Sequence, residues 1–66
     1  MCVKIIELIG TSQKSFEDAI QECITRTSKS VRGITGVDVI GQTAVVENNK
    51  VMEFRVNIKV AFKVDD

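Results

Sequence analysis

The sequence predicts an α+β fold, one helix backed by a three-stranded antiparallel sheet in the order strand-helix-strand-strand, in a chain expected to associate with copies of itself. Three observations predict it. A seven-residue β-branched run opens the chain, one amphipathic helical stretch follows, and two long β-rich stretches separated by a tight turn complete it.

The opening run is Val3 to Ile9, closed by Gly10-Thr11-Ser12, which reads as a strand followed by a turn. Next, Phe16, Ala19, Ile20, Cys23, Ile24, Thr27 and Val31 recur at three- and four-residue spacing and so share one face of a helix. Ser12 or Ser15 is placed to cap it, Glu17 and Asp18 favour the positive end of the helix dipole, and Arg26, Lys29 and Arg32 favour the negative end. Gly33 is the expected stop. Ile34 to Val46 is β-branched and interrupted by Gly36 and Gly41, where a bulge or bend is expected. Glu47-Asn48-Asn49-Lys50 reads as a hairpin turn, because asparagine tolerates positive φ. In the last stretch Met52, Phe54, Val56, Ile58, Val60, Phe62 and Val64 alternate with Glu53, Arg55, Asn57, Lys59 and Lys63, the pattern of a half-buried strand.

Length turns this pattern into an argument about assembly. A strand of about 14 residues spans roughly 46 Å, whereas a compact chain of 66 residues has a diameter of about 28 Å. The last strand must curl around the helix, project beyond the body, or both. Projecting ribbons expose backbone hydrogen-bonding groups, and a chain this short is marginal alone. With two cysteines and no histidine for disulfides or metals, copies of the same chain are the expected cover.

Chemistry-bearing groups are sparse. Histidine, tyrosine and tryptophan are absent, so no enzymatic function is expected. Cys23 lies on the apolar helix face and reads as an inert thiol; Cys2 has no Cys-x-x-Cys partner. Gly10-Thr11-Ser12 lacks the lysine of a phosphate loop and reads as a plain turn. Nine acidic side chains, from Glu7 to Asp65 and Asp66, form no calcium-loop pattern, although a symmetric oligomer can gather one from each copy. Arg55, Lys59 and Lys63 line the polar face of the last strand, as a solvated or salt-bridged face or as an anion contact. Nine basic residues balance nine acidic ones, which removes the case for nucleic acid or an anionic membrane as partner. No run approaches the roughly 20 apolar residues of a membrane span, and a cytoplasmic location with reduced thiols is expected.

Three segments carry a resemblance. Lys4-Ile5-Ile6-Glu7-Leu8-Ile9-Gly10-Thr11-Ser12, Ser15-Phe16-Glu17-Asp18-Ala19-Ile20 and Phe54-Arg55-Val56-Asn57-Ile58-Lys59-Val60-Ala61-Phe62 are similar to the first strand, helix start and last strand of dodecins. The resemblance implies one dodecin-like domain over residues 1–66, a sheet curled around the helix, and a shell of twelve chains. It also implies storage or sequestration of a flavin, riboflavin or FMN, stacked between tryptophans at a subunit interface and hydrogen-bonded by a glutamine. Carried onto this chain, the pocket positions are Gly36, Arg55, Thr35, Val37 and Gln42. Gly36 stands where the tryptophan is expected and Arg55 where the glutamine is expected. The chain thus looks closer to dodecin-like proteins without the tryptophan, which implies calcium or another small anionic cofactor at subunit interfaces, or a purely structural shell, as the alternative.

Overall fold

The computed structural model describes residues 1–64; Asp65 and Asp66, two of the carboxylates considered above, lie outside them. Four elements follow one another: β1 (Val3–Ser12), α1 (Phe16–Thr27), β2 (Ile34–Glu47) and β3 (Lys50–Lys63). The strands form one antiparallel sheet in the order β1-β3-β2, so β3 is central and β1 and β2 each have an open edge.

Alternation in β3 decides where the core sits. Val56, Ile58 and Val60 are fully buried on one face, together with Ala19 of α1, and Ile6, Leu8, Phe16, Ile20, Cys23, Ile24 and Ile34 pack around them. Burying each such aliphatic side chain contributes about 1.5–3 kcal/mol. The rings of Phe16 and Phe54 meet edge to face, with centroids 5.0 Å apart, and close the core at the helix start.

Ser15 is the N-cap, its Oγ accepting from Asp18 N at 3.0 Å. Ser12 does a different job. Its Oγ donates to Asp18 Oδ2 at 2.6 Å and accepts from Lys14 N at 2.9 Å, fixing the turn that reverses the chain into α1. The expected turn at Gly10-Thr11-Ser12 is corrected: these residues continue β1, paired with Val56, Arg55 and Phe54. Glycine at position 10 answers a close approach rather than a turn. A Cβ there would lie 2.6 Å from Ala19 O and 2.9 Å from Cys23 Cβ, so its absence lets α1 sit directly on β1.

The helix also stops earlier than Gly33. It ends at Thr27, and Val31, Lys29 and Arg32 lie beyond it. The segment Thr27-Ser28-Lys29-Ser30-Val31 has low helix propensity, and Ser28 Oγ donates to Thr25 O at 2.7 Å, a local alternative to further helical turns. Gly33 instead takes φ +75° in the connection, where its carbonyl accepts from Lys63 N at 3.0 Å and starts the β2–β3 ladder.

The β2–β3 hairpin is as long as the sequence requires. Asn48 and Asn49 have φ 51° and 63°, the conformation of a two-residue type I′ turn. Thr35 and Ile40 are extra residues on β2, beside Gly36 and Gly41, and Met52 is extra on β3. Such bulges bend a ribbon and increase its twist. The chain measures 51 Å along its longest axis, and its radius of gyration is 13.4 Å, against about 11 Å for a compact chain of this length.

Candidate ligand face

Two surfaces of the sheet lack cover within the chain, for different reasons. On the core side, α1 packs over β1 and β3. Val37 and Val39 of β2, opposite the buried Val60 and Ile58, each stay 40% exposed. On the other side, none of the described elements packs against the sheet's mixed face. β1 contributes Ile5 and Ile9, 59% and 68% exposed.

The register arranges this outer face in rows across the three strands. Glu7, Lys59 and Asp38 form one row, a cation between two carboxylate-bearing positions. Ile9, Asn57 and Gly41 form the next, and Thr11, Arg55 and Thr43 the third. Ile9, Gly41, Thr43, Arg55, Val56 and Asn57 border a shallow cleft of about 300 Å³, the lower end of the range for small-molecule sites. Gly41 leaves open space above its Cα and forms the low point of the cleft. The Arg55 Nε donates to Glu53 Oε2 at 2.8 Å, and both side chains remain partly exposed, at 49% and 31%. The guanidinium is thus tied to a neighbour on its own strand at the border of the cleft. Chemically the last two rows offer donors and acceptors from a guanidinium, two threonine hydroxyls and an amide, and no stacking ring.

Of the five positions the sequence comparison put forward, Arg55 alone borders this cleft. Gly36 pairs with Ala61 on the same face, six residues along β3 from Arg55 and so about 20 Å away. Thr35 is the bulged residue beside it, its Oγ1 donating to Ala61 O at 3.5 Å. Val37 and Gln42 stand opposite Val60 and Val56, positions of the core-side face. Within one chain these residues do not converge, so a site using both Gly36 and Arg55 takes them from different copies. Thr43 and Ile9 were not singled out from the sequence, and Gly41 only as a bulge or bend. The bulge at Ile40, which sets Thr43 beside Arg55, falls where Gly41 led a bulge or bend to be expected; the partner that Thr43 meets is fixed only by the pairing.

Among the described residues no group of three or more cysteine or acidic side chains is placed to hold a metal ion, and no helix is long and apolar enough to cross a membrane. Cys2 is exposed and Cys23 half-buried; both are free thiols.

A model of the Dodecin family matches residues 2–65 of this sequence. The chain belongs to the dodecin family. The calcium dodecin of Mycobacterium tuberculosis is 36% identical over 61 residues, spanning 92% of this chain and 86% of that protein. The dodecin of Thermus thermophilus is 30% identical over 63 residues, spanning 96% and 91%. Among solved structures, the dodecin of Streptomyces coelicolor superposes with a TM-score of 0.95 at 23% identity over 98% of this chain and 93% of that one, a likeness of fold. The calcium-chelating calcium dodecin of M. tuberculosis superposes with a TM-score of 0.86 at 34% identity, covering 98% and 93%. The expected strand-helix-strand-strand dodecin fold is therefore the fold of this chain, with its helix one turn shorter than the spacing of apolar residues suggested.

Proposed function

We propose that this dodecin-family chain is the subunit of a hollow homo-oligomeric shell, of twelve copies as in the resemblance above, that binds and stores a small ligand at contacts between copies and catalyses no reaction. One domain over residues 1–66 makes the subunit, and the shell works in the cytoplasm. The observation that carries this reading is the 51 Å ribbon whose β2 valines stay bare on the core side. An isolated subunit leaves apolar area and two strand edges in water, and neighbouring copies remove both.

The flavin of the family is a poor ligand here. Position 36 is glycine, and the sequence holds no tryptophan or tyrosine to replace the stacking ring. A base stacked on an aromatic side chain gains about 1–3 kcal/mol. Losing both walls of a sandwich therefore weakens binding by roughly 30-fold to 10⁴-fold or more. Two measurements test this. Light scattering of the purified protein is expected to give a mass near twelve chains, and a monomer at micromolar concentration refutes the shell. The same sample is expected to be colourless; stoichiometric flavin absorbance after gel filtration refutes the weak-flavin reading. The double variant Gly36→Trp with Arg55→Gln is expected to gain FMN affinity by at least 30-fold in a fluorescence titration. Within the subunit nothing lies within 4 Å of a Cβ at position 36, so the first atom of the new side chain meets no clash there.

A second reading, calcium or a small anionic cofactor as the stored ligand, is favoured by the 36% identity to a calcium dodecin and by Arg55 in the cleft row. Single carboxylates such as Glu7 and Asp38 then act together only when several copies meet, since calcium takes six to eight oxygen ligands. Calorimetry with calcium, FMN and coenzyme A separates the readings. Heat from calcium alone makes this the calcium variant, and silence from all three leaves a structural shell.

A further inference from the structure

The two open edges of the sheet are not equivalent. β1 pairs with β3 from Val3 to Ser12 without a register shift, so its free edge is regular. β2 is bulged at Thr35 and Ile40, and bulges turn an edge away from further pairing. The regular edge is also the one with a groove beside it. Between β1 and α1 runs a depression of about 300 Å³ bordered by Leu8, Ile9, Cys23 and Thr27, with Glu22 and Arg26 among its lining residues. Those two form an exposed ion pair at 3.4 Å, which puts one anion and one cation at the groove.

The tip of the hairpin carries exposed apolar side chains beside a pair of opposite charges. Past Phe54, where β1 stops pairing, the hairpin continues alone to its turn. There Val46, Val51 and Met52 are 59%, 54% and 47% exposed. Glu47 and Lys50 face each other at the last rung, again one anion and one cation. The tip points along the strand axis away from its own groove, so a second copy must supply the fit.

We propose that the groove between β1 and α1 seats the hairpin tip of another copy. Val51 and Met52 lie against Leu8, Ile9 and Cys23, and Lys50 and Glu47 face Glu22 and Arg26. Apolar burial drives the contact, and the two charge pairs fix which way round the tip enters. The inference rests on the assembled-shell reading and specifies which surfaces meet.

Cys23 supplies its own reporter. In a Cys2→Ser background, Met52→Cys places a thiol on the tip. Oxidation with diamide, which takes up the two electrons and two protons released, joins thiols whose Cα atoms lie within about 7 Å. The expected product is a covalent dimer whose peptide map links position 23 of one copy to position 52 of the other. Charge reversal gives an independent readout. Lys50→Glu and Glu22→Lys are each expected to raise the subunit concentration at half-dissociation about tenfold, and the two together to restore it. An oligomer of undiminished mass in which position 52 stays unlinked, or links only to position 52, overturns the seat. So does a double reversal no better than the worse single one. A wild-type chain that is monomeric sinks the shell itself; an assembled chain failing these tests sinks only this contact.

Discussion

The body and the arm of this chain are made from the same strand, β3, and obey different rules. Between Phe54 and Phe62 the strand is flanked by β1 and β2 and covered by α1, and Val56, Ile58 and Val60 are fully buried. Between Lys50 and Glu53 it has one partner and no cover, and Val51 and Met52 are half exposed. Residue types barely change along it. Burial depends on what lies across the strand, and among the described residues the arm has β2 alone beside it.

Substitutions sharpen that contrast. The largest effect is expected in the body. Ile58→Ala removes three carbons from a fully buried side chain, and core truncations of this kind cost about 2–5 kcal/mol. Thermal unfolding at matched subunit concentration checks it, since assembly makes the midpoint concentration-dependent. In the arm, Val51→Ser is expected to leave the far-UV circular dichroism of the subunit intact while lowering the oligomer's mass at low concentration. If both variants lose secondary structure equally, the division into body and arm is wrong.

Two glycines draw the same line. Gly10→Ala forces a Cβ to within 2.6 Å of a helix carbonyl that has little freedom to move, so α1 must lift from β1 at a cost of about 1–3 kcal/mol. Gly41→Ala meets open space and is expected to change the unfolding midpoint little, since a surface substitution of this kind is worth within about 0.5 kcal/mol either way. Equal effects at the two positions would mean that α1 does not rest on β1 as described.

How much of this was readable in advance follows the same division. The alternation in β3, the Asn48-Asn49 turn and the capping serine are local signals, and each is found where the sequence puts it. The overlong hairpin was also legible, because strand length and chain size are counted rather than inferred. What misled is non-local. Gly10 resembles a turn residue, yet it is a contact point for Ala19 and Cys23, nine and thirteen residues on. Val31 misled for a local reason instead: it keeps the helical spacing, but Ser28 Oγ donates to Thr25 O and Ser30 N to Thr27 O, three-residue contacts that end the helix first. The candidate site was least legible of all. Gly36 and Arg55 share a face yet lie six rungs apart on the ladder with β3; the glycines marked where β2 bulges, but not which residues of β3 the shifted register then sets across from Thr43 and Gly41.

The turn at the end of the arm sets a near-neutral substitution beside a costly one. Asn49 holds φ 63°, a left-handed conformation that asparagine tolerates and glycine adopts freely. Asn49→Gly therefore relieves native strain but loosens the unfolded chain, and the two terms nearly cancel within about 0.5 kcal/mol. Asn49→Val has no such compensation, because a β-branched residue strains against positive φ, and the turn loses about 1–2 kcal/mol. That loss falls on the part of the hairpin with no other support in the chain. Asn49→Val is thus expected to weaken assembly more than it lowers the helix signal at 222 nm, read by light scattering and circular dichroism on one sample. A parallel fall in both would show that the arm and the body fold as one unit, and that the tip's order does not depend on the neighbour it meets.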